Sequence, residues 1–389
     1  MTATHQVRLL DDNGQSSLYT LRGERQWQAP ATPAFNRRAF AAAHVVTDPR
    51  QVRDPRTDIA LDWEATLRYR RHLMSLGFSV AEAMDTAQRG MGLDWPTSLA
   101  LITRSVEQAR DFLGVTVAGG AGTDHLTDFR GLRLEDVINA YEEQASAIEA
   151  CGGRLILMAS RALAAVARGP EDYLRVYDAV LRQVREPVIL HWLGEMFDPA
   201  LSGYWGSSQT SEAMAACLSV IRDHAAKVDG IKISLLDKEK EIEMRRQLPE
   251  GVKMYTGDDF NYPELIAGDS EGYSHALLGI LDAIAPAASA ALNALAQGDR
   301  AQYERILAPT LPLARHIFAA PTQYYKAGIV FLAWLNGHQH HFSLLAGMES
   351  ARSLRHYCQL FRLADEAGLL ERPELAAERM ARFGSVYGL

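Results

Sequence analysis

The fold is decided by residues 228–234, which read Val-Asp-Gly-Ile-Lys-Ile-Ser. Side chains along a β-strand point alternately to its two faces. The two isoleucines therefore share one face, which helices cover in a parallel α/β protein. Lys232 shares the opposite face with Gly230 and Ser234, and we expect these three residues to face the interior of a closed barrel.

Short apolar segments on both sides of this stretch alternate with longer helical patterns, which is typical of βα units and a parallel sheet. Eight such strands are most simply closed into a ring. We therefore predict a (β/α)8 TIM barrel of the α/β class over residues 36–286. The other predicted strands are 39–46, 80–85, 114–119, 154–159, 187–193, 253–256 and 272–277, and the main helices are 63–76, 99–112, 134–150, 171–184 and 211–226.

The barrel is flanked by two different extensions. Residues 5–21 alternate around Asp11-Asp12-Asn13-Gly14, and Asn-Gly is typical of a tight hairpin turn. Residues 1–35 are therefore predicted to form an N-terminal β-hairpin extension and connector. Residues 287–389 carry helical patterns only, which predicts a C-terminal helical subdomain.

Composition excludes several classes of function. The chain has 389 residues and a net charge of −8, so it offers no basic field to nucleic acid or anionic lipid. No apolar run is long enough to span a membrane, and the first residues are polar. Three widely spaced cysteines favour a reducing compartment. We therefore expect a cytoplasmic protein that binds neither nucleic acid nor membrane.

Lys232 is the strongest candidate for chemistry. Burial disfavours an ammonium, so its pKa falls and a neutral amine becomes available to attack a ketone or aldehyde. The alternatives are a structural lysine neutralised by a carboxylate, or one that extends from a strand end into solvent.

Further segments follow the order of a known superfamily. They are 115–124, Val-Thr-Val-Ala-Gly-Gly-Ala-Gly-Thr-Asp; 186–191, Glu-Pro-Val-Ile-Leu-His; 254–259, Met-Tyr-Thr-Gly-Asp-Asp; 272–274, Gly-Tyr-Ser; and 325–328, Tyr-Lys-Ala-Gly. With the Gly-Ile-Lys strand, they resemble the dihydrodipicolinate synthase and N-acetylneuraminate lyase superfamily over roughly residues 38–370. More narrowly, the chain resembles an uncharacterised branch of it. The resemblance implies that Lys232 is a Schiff-base lysine and that the protein is a homo-oligomer, either a dimer or a tetramer.

The chain departs from that superfamily at the second strand. The family's Gly-Thr-Thr-Gly-Glu, which binds an α-keto carboxylate, is replaced by residues 81–92. Thr86 keeps one hydroxyl and Arg89 could bind a carboxylate, whereas Glu82 and Asp85 would repel one. Pyruvate is therefore in doubt as the bound fragment.

At the fifth strand, the family's proton-relay tyrosine is replaced by His191, which shares a face with Ile189. A histidine there could relay a proton at neutral pH. The alternative is a core histidine held by a neighbouring carbonyl.

The other candidate substrate-binding residues lie at predicted strand ends. Asp258 and Asp259 could orient Lys232 or bind hydroxyl groups, although an aspartate after a glycine is also common in turns. Gly120 belongs to a glycine cluster that could cradle an anion. The complete set is Thr86, Gly120, Ser234, Asp258, Asp259 and His44.

Residues 338–341, His-Gln-His-His, contain possible metal ligands. They lie outside the eight strands and have no nearby Glu-x-x-His or cysteine partner. We therefore interpret them as a solvated helix end and predict no metal site and no cofactor.

The main hypothesis is a Schiff-base lyase or aldolase that acts on a keto acid or a sugar-derived carbonyl compound, with Lys232 and His191 as catalytic residues. A second hypothesis is a divalent-metal aldolase or sugar isomerase on the same barrel. A third is a barrel that binds a metabolite without catalysis. The ligands of the second hypothesis would be Glu82, Asp85, His191 and Asp259.

Overall fold

Eight short parallel strands form a closed barrel in the computed structural model, which describes residues 5–11, 13–22 and 27–389. Each strand pairs with the next along the chain, and the last pairs with the first. The predicted TIM barrel is confirmed. The strands are β3 (Ala39–Ala42), β4 (Ser79–Glu82), β5 (Val117–Ala121), β6 (Arg154–Leu157), β7 (Val188–Leu193), β8 (Val228–Ser234), β9 (Lys253–Thr256) and β10 (His275–Leu278).

The interior of the barrel is filled by side chains that alternate with those facing the helices. Phe40, Ile156, Ile189, Tyr255 and Leu277 belong to one buried cluster drawn from seven of the eight strands. The remaining strand, β8, contributes Gly230, where an added Cβ would lie 2.6 Å from the ring of Tyr255. A glycine is therefore required there, because a larger residue would displace the ring.

Lys232 and Ser234 lie on the same face of β8 as Gly230. A Cβ added to Gly257, just beyond β9, would lie 2.8 Å from the Lys232 Cε atom and 2.4 Å from the Ser234 Oγ atom. The absence of a side chain at position 257 leaves room for the lysine.

Seven helices accompany β4–β10. The helix over 134–150 has the predicted bounds, while the helix predicted from residue 99 begins at Trp95, because the Asp94 carboxylate caps it by accepting from the Thr97 N–H. The helices are α2 (Trp95–Ala109), α3 (Leu134–Ala150), α4 (Arg161–Val166), α5 (Pro170–Gln183), α6 (Thr210–Asp223), α7 (Lys238–Arg245) and α8 (Tyr262–Ala267).

The N-terminal hairpin is formed by β1 (Gln6–Leu10) and β2 (Ser16–Thr20), which pair antiparallel. The Asp11 carboxylate accepts from the Asn13 and Gln15 N–H groups in the turn, as a turn aspartate commonly does. Asp12, the remaining residue of the predicted turn, lies outside the described residues.

The hairpin packs on the C-terminal helices. The Tyr19 hydroxyl donates to Asp365 at 2.7 Å, and Arg362 donates to the Leu10 carbonyl at 2.7 Å. The helices in the same compact unit as the hairpin are α1 (Trp63–Ser75), α9 (Ile280–Ala283), α10 (Ala285–Ala296), α11 (Arg300–Leu307), α12 (Leu311–Ile317), α13 (Tyr325–Leu335), α14 (Leu354–Glu366) and α15 (Pro373–Val386).

The chain divides into two compact units. One contains Arg37–Ala43 and Phe78–Leu278, and therefore all eight barrel strands. The other contains the described residues of 1–36, together with His44–Gly77 and Gly279–Leu389. Over the described residues, no helix combines the length and the apolar character needed to cross a membrane.

Candidate active site

Lys232 lies inside the barrel with only 8% of its surface exposed. Burial lowers the pKa of its ammonium, and the negative charges of Asp259 and Asp85 oppose this shift without cancelling it. Among the residues that the structure describes, none forms a hydrogen bond or salt bridge with the Lys232 Nζ atom. The amine is therefore buried without a directly paired carboxylate.

His191 lies beside Lys232, because β7 and β8 pair these two residues in register. Its Nε2 atom is 3.3 Å from the Ser234 Oγ atom. Its Nδ1 atom is buried and has no hydrogen-bond partner within the part of the chain that the structure describes. Burial lowers the pKa of His191 well below its usual value, and the positive charge of Lys232 lowers it further. The ring is therefore neutral at pH 7 and has one nitrogen unused.

A cavity of about 330 Å³ opens beyond the carboxyl ends of β4–β7, at the face where TIM-barrel enzymes hold their active sites. Lys232 and His191 do not line it. Asp85 lines the cavity and also acts electrostatically on Lys232. Asp85 is thus shared by the lining of the cavity and the electrostatic surroundings of Lys232. Other lining residues include Arg89, Thr123, Asp124, Thr127, Ser160, Arg161 and Asp198.

Arg89 is a buried residue of the cavity lining, and its guanidinium group is fully hydrogen-bonded. Its Nε and Nη2 atoms each donate to the Asp124 carboxylate at 2.7 Å. Nη2 also donates to the Gln144 side chain, and Nη1 donates to the carbonyls of Ala83 and Gly120. All five guanidinium N–H groups therefore have acceptors. The suggestion that Arg89 binds a substrate carboxylate is wrong for this arrangement, because Asp124 already occupies the guanidinium.

Asp258 and Asp259 both follow β9 but have different surroundings. The Asp258 carboxylate accepts from the Phe260 and Asn261 N–H groups at 2.8 and 3.0 Å. These hydrogen bonds are typical of an aspartate in a turn, which was the alternative to substrate binding. Burial raises the pKa of Asp258. Asp259 is also buried, and its charge acts on Lys232. Of the two, Asp259 is the one that the structure relates to the amine.

Thr86 and Gly120 lie at the ends of β4 and β5. Thr86 is buried in a 3-10 turn, Asp85–Ala87. A Cβ at Gly120 would lie 2.6 Å from the Met158 sulfur and 2.8 Å from the Met84 sulfur, so this glycine permits close packing. These contacts give Gly120 a structural reason for being glycine, while its anion-binding role stays a prediction.

His44 belongs to the other compact unit. Its Nδ1 atom lies 2.8 Å from the Asp282 carboxylate, and its Nε2 atom lies 3.2 Å from the Gln339 side-chain oxygen. Both ring nitrogens are thus occupied within that unit. A substrate-binding role for His44 stays a prediction.

The ligand set of the metal hypothesis is not assembled. Glu82 faces the helices, where it accepts from the Ser105 hydroxyl at 2.5 Å and the Ala83 N–H at 3.0 Å. Within the described part of the chain, Glu82, Asp85, His191 and Asp259 do not bring three ligand atoms within 4.8 Å of one another.

A family model described as "Protein of unknown function (DUF993)" matches residues 7–389. The chain belongs to the DUF993 family. No curated protein matches its sequence.

Solved structures of the dihydrodipicolinate synthase family share the fold of this DUF993 protein. YagE, a prophage protein from E. coli K12 solved with pyruvate, is 14% identical, with a TM-score of 0.66 over 86% of this chain and 100% of its own. The synthase from Aquifex aeolicus is 13% identical, with a TM-score of 0.64 over 86% and 99%. The chloride-inhibited synthase from Acinetobacter baumannii, complexed with pyruvate, is 13% identical, with a TM-score of 0.61 over 86% and 99%. The resemblance inferred from the sequence is confirmed for the fold.

Sequence reasoning missed one buried acid of this DUF993 protein, Glu241. It lies on α7, a short polar helix without the apolar periodicity that sequence patterns require. Glu241 accepts from the Ser274 hydroxyl at 2.7 Å, and burial raises its pKa to about 8. A carboxyl group with this pKa holds a proton at neutral pH.

Stability should therefore fall as pH rises from about 4.5 to about 8, since the folded state keeps a Glu241 proton that the unfolded chain releases. Glu241→Gln mimics the neutral acid, so it should remove this fall, and its stability relative to the unmodified protein should be greater at pH 8 than at pH 5 by about 3 kcal/mol. Urea unfolding at the two pH values measures the difference. The control is Glu243→Gln on the exposed side of α7; an equal change in both variants would contradict the assignment.

Proposed function

We propose that this protein is a Schiff-base lyase or aldolase in which Lys232 forms an imine with a carbonyl substrate. One observation carries the proposal: an amine buried inside the barrel has a lowered pKa and no directly paired carboxylate. Such an amine is available as the free base that attacks a carbonyl carbon. We place the substrate in the cavity lined by Asp85, whose charge acts on Lys232.

The neutral Lys232 amine attacks the carbonyl carbon, and proton transfer to the former carbonyl oxygen allows it to leave as water. The product is a cationic iminium, which attracts the electron pair of the bond to be cleaved. Loss of a proton from a β-hydroxyl group then breaks the C–C bond and leaves an enamine on Lys232. Protonation of the enamine carbon and hydrolysis release the second product and restore the amine.

His191 is proposed to move the proton. A neutral imidazole can accept a proton at one nitrogen, and the lowered pKa of His191 keeps it neutral. Ser234 lies at one ring nitrogen, while the other has no hydrogen-bond partner among residues 5–11, 13–22 and 27–389. Ser234 is therefore proposed as a positioning residue for the ring.

The cavity favours a sugar-derived carbonyl compound over a keto acid. Asp85, Asp124 and Asp198 give three negative charges against two positive charges from Arg89 and Arg161, a net charge of −1. Arg89 is paired with Asp124 and Arg161 with Asp198, so neither is a ready receptor for a carboxylate. The hydroxyl groups of Thr123, Thr127 and Ser160 also line the space and suit a polyhydroxylated ligand.

Reductive trapping tests the proposal. The protein is incubated with borohydride and a panel of ketoses, aldoses and keto acids, with pyruvate included because two of the structural neighbours were solved with it. A reduced imine on Lys232 blocks tryptic cleavage there, so the adduct should appear on the peptide 228–238. Hydroxylated carbonyl compounds should give more adduct than pyruvate.

Lys253 provides an internal control in the same digest. It lies on the adjacent strand, and its ammonium forms a 3.0 Å salt bridge with Asp229, so it should remain charged and unmodified. Absence of any Lys232 adduct across the panel, or equal labelling of Lys253, would refute the imine proposal.

His191→Gln should lower turnover of the trapped compound by about 10²–10⁴-fold, because a positioned proton-transfer group is lost. Borohydride trapping should persist, since Lys232 is unchanged. Ser234→Ala serves as the comparison and should cost less than His191→Gln, because the imidazole remains. Full turnover in His191→Gln would assign the histidine to the core instead.

A further inference from the structure

Three possible metal ligands from distant parts of the sequence meet in the unit that contains the C-terminal helices. Ligand atoms of His72, His338 and Glu371 all lie within 4.8 Å of one another. The imidazole rings of His72 and His338 are 4.6 Å apart, and the His338 Nε2 atom is 3.2 Å from a Glu371 oxygen. Within the described residues, no other group of three or more such side chains is this close.

Ordinary folding contacts fix each ligand. His72 lies in the last turn of α1. His338 follows the end of α13, where Gly337 has a φ of +88° and the His338 N–H donates to the Ala333 carbonyl at 3.0 Å. This arrangement turns the chain sharply after the helix.

Glu371 is held by a side chain from the same turn. Asn336 accepts from the Glu371 N–H at 2.9 Å and donates to the Leu369 carbonyl at 3.0 Å. The backbone that carries Glu371 is therefore tied to the backbone that carries His338, and the two side chains are placed together before any ion binds.

We propose that His72, His338 and Glu371 bind a zinc ion, with a water molecule as the fourth ligand. Zinc takes nitrogen and oxygen ligands at about 2.0–2.2 Å in a tetrahedron, which separates neighbouring ligand atoms by about 3.4 Å. The observed 3.2 Å between His338 and Glu371 fits this separation. Two imidazoles select zinc over magnesium or calcium, which prefer oxygen ligands.

The surroundings of the three ligands also suit a bound ion. The His338 ring also contacts Tyr69 edge-on, at 5.0 Å between ring centroids, so packing restrains its orientation. The three ligands are partly buried, and the His338 and Glu371 side chains are only 20% and 18% exposed. An ion here would join α1 to the turn after α13 and to the segment before α15.

The site accounts for only one histidine of the run over residues 338–341. His340 is exposed, and the His341 Nδ1 atom lies 3.1 Å from the Ser343 hydroxyl. His72 and Glu371, the partners of His338, are 266 positions before it and 33 positions after it, so local spacing in the sequence did not reveal them.

Zinc binding by tag-free, chelator-treated full-length protein tests the proposal. Titration with zinc chloride and elemental analysis after dialysis should give one tightly bound zinc per chain. His338→Gln and Glu371→Gln should each weaken binding at least about 100-fold, since losing a ligand costs more than losing a residue that only orients one. His340→Gln is the matched control and should bind zinc as the unmodified protein does.

Thermal unfolding gives a second readout that does not depend on enzyme activity. Saturating zinc should raise Tm by about 5 °C in the unmodified protein and in His340→Gln, and should leave His338→Gln and Glu371→Gln unshifted. Circular dichroism without zinc verifies that the variants fold. Absence of stoichiometric zinc in the unmodified protein, or full binding by both ligand variants, overturns the site and shows that His338 and Glu371 only contact each other by a hydrogen bond.

Discussion

Lys232→Met is expected to abolish borohydride trapping and to lower turnover at least about 10³-fold, because the amine that forms the covalent intermediate is gone. The same variant should be at least as stable as the unmodified protein. A buried amine with no paired carboxylate is unfavourable, and methionine fills a similar volume without charge. A gain of about 1 kcal/mol in the free energy of unfolding is expected.

The stability measurement separates the two roles weighed for this lysine. Replacing a structural lysine would lower the stability of the protein, whereas replacing a reactive one lowers its activity without lowering its stability. Lys232→Arg is the informative companion, because a guanidinium stays charged and cannot form the imine. It should lose both trapping and stability. Urea unfolding beside the trapping assay measures both quantities, and a destabilised Lys232→Met that still traps substrate would exclude the mechanism.

Arg89→Met is expected to destabilise the protein by about 3–5 kcal/mol, because removal of one partner leaves a buried charge uncompensated. Although burial tends to raise the pKa of Asp124, the hydrogen bonds and charge of Arg89 hold it below its usual value. Asp124 therefore contributes stability above its unfolded pKa, and this is lost as pH falls through the lower folded value. Arg89→Met should abolish that dependence.

A double-mutant cycle checks this assignment. Asp124→Asn in the Arg89→Met background removes the unpaired charge, so it should recover part of the lost stability. The exposed pair of Arg68 and Glu64 on α1 is the comparison, and its removal should change stability by less than about 1 kcal/mol. Additive effects of Arg89→Met and Asp124→Asn would show that the pair is not coupled.

The barrel and the inward direction of the Lys232 side chain could be predicted from the sequence because both depend on short-range periodicity. Alternation in residues 228–234 placed Lys232 on one face with Gly230 and Ser234. In the structure Gly230 lies against the Tyr255 ring, and Lys232 and Ser234 both lie against Gly257. Boundaries were less accurate where a cap decides them: Asp94 starts α2 before its apolar pattern begins.

The missed features depend on partners that are distant in the sequence. Arg89 resembled an available cation, and only the structure shows that Asp124 and Gln144 engage it. Glu241 lies on a helix too short and polar for a periodic signal. His338 had no visible partner because His72 and Glu371 are close only after folding.

An alanine at position 257 would meet main chain as well as side chains. Its methyl group would lie 2.4 Å from the Ile233 carbonyl oxygen and from the Ser234 Oγ atom, and 2.8 Å from the Lys232 Cε atom. Because that carbonyl belongs to the backbone of β8, the strand itself would have to shift to admit the methyl group. The close approach of β8 to the chain beyond β9 therefore depends on position 257 having no side chain.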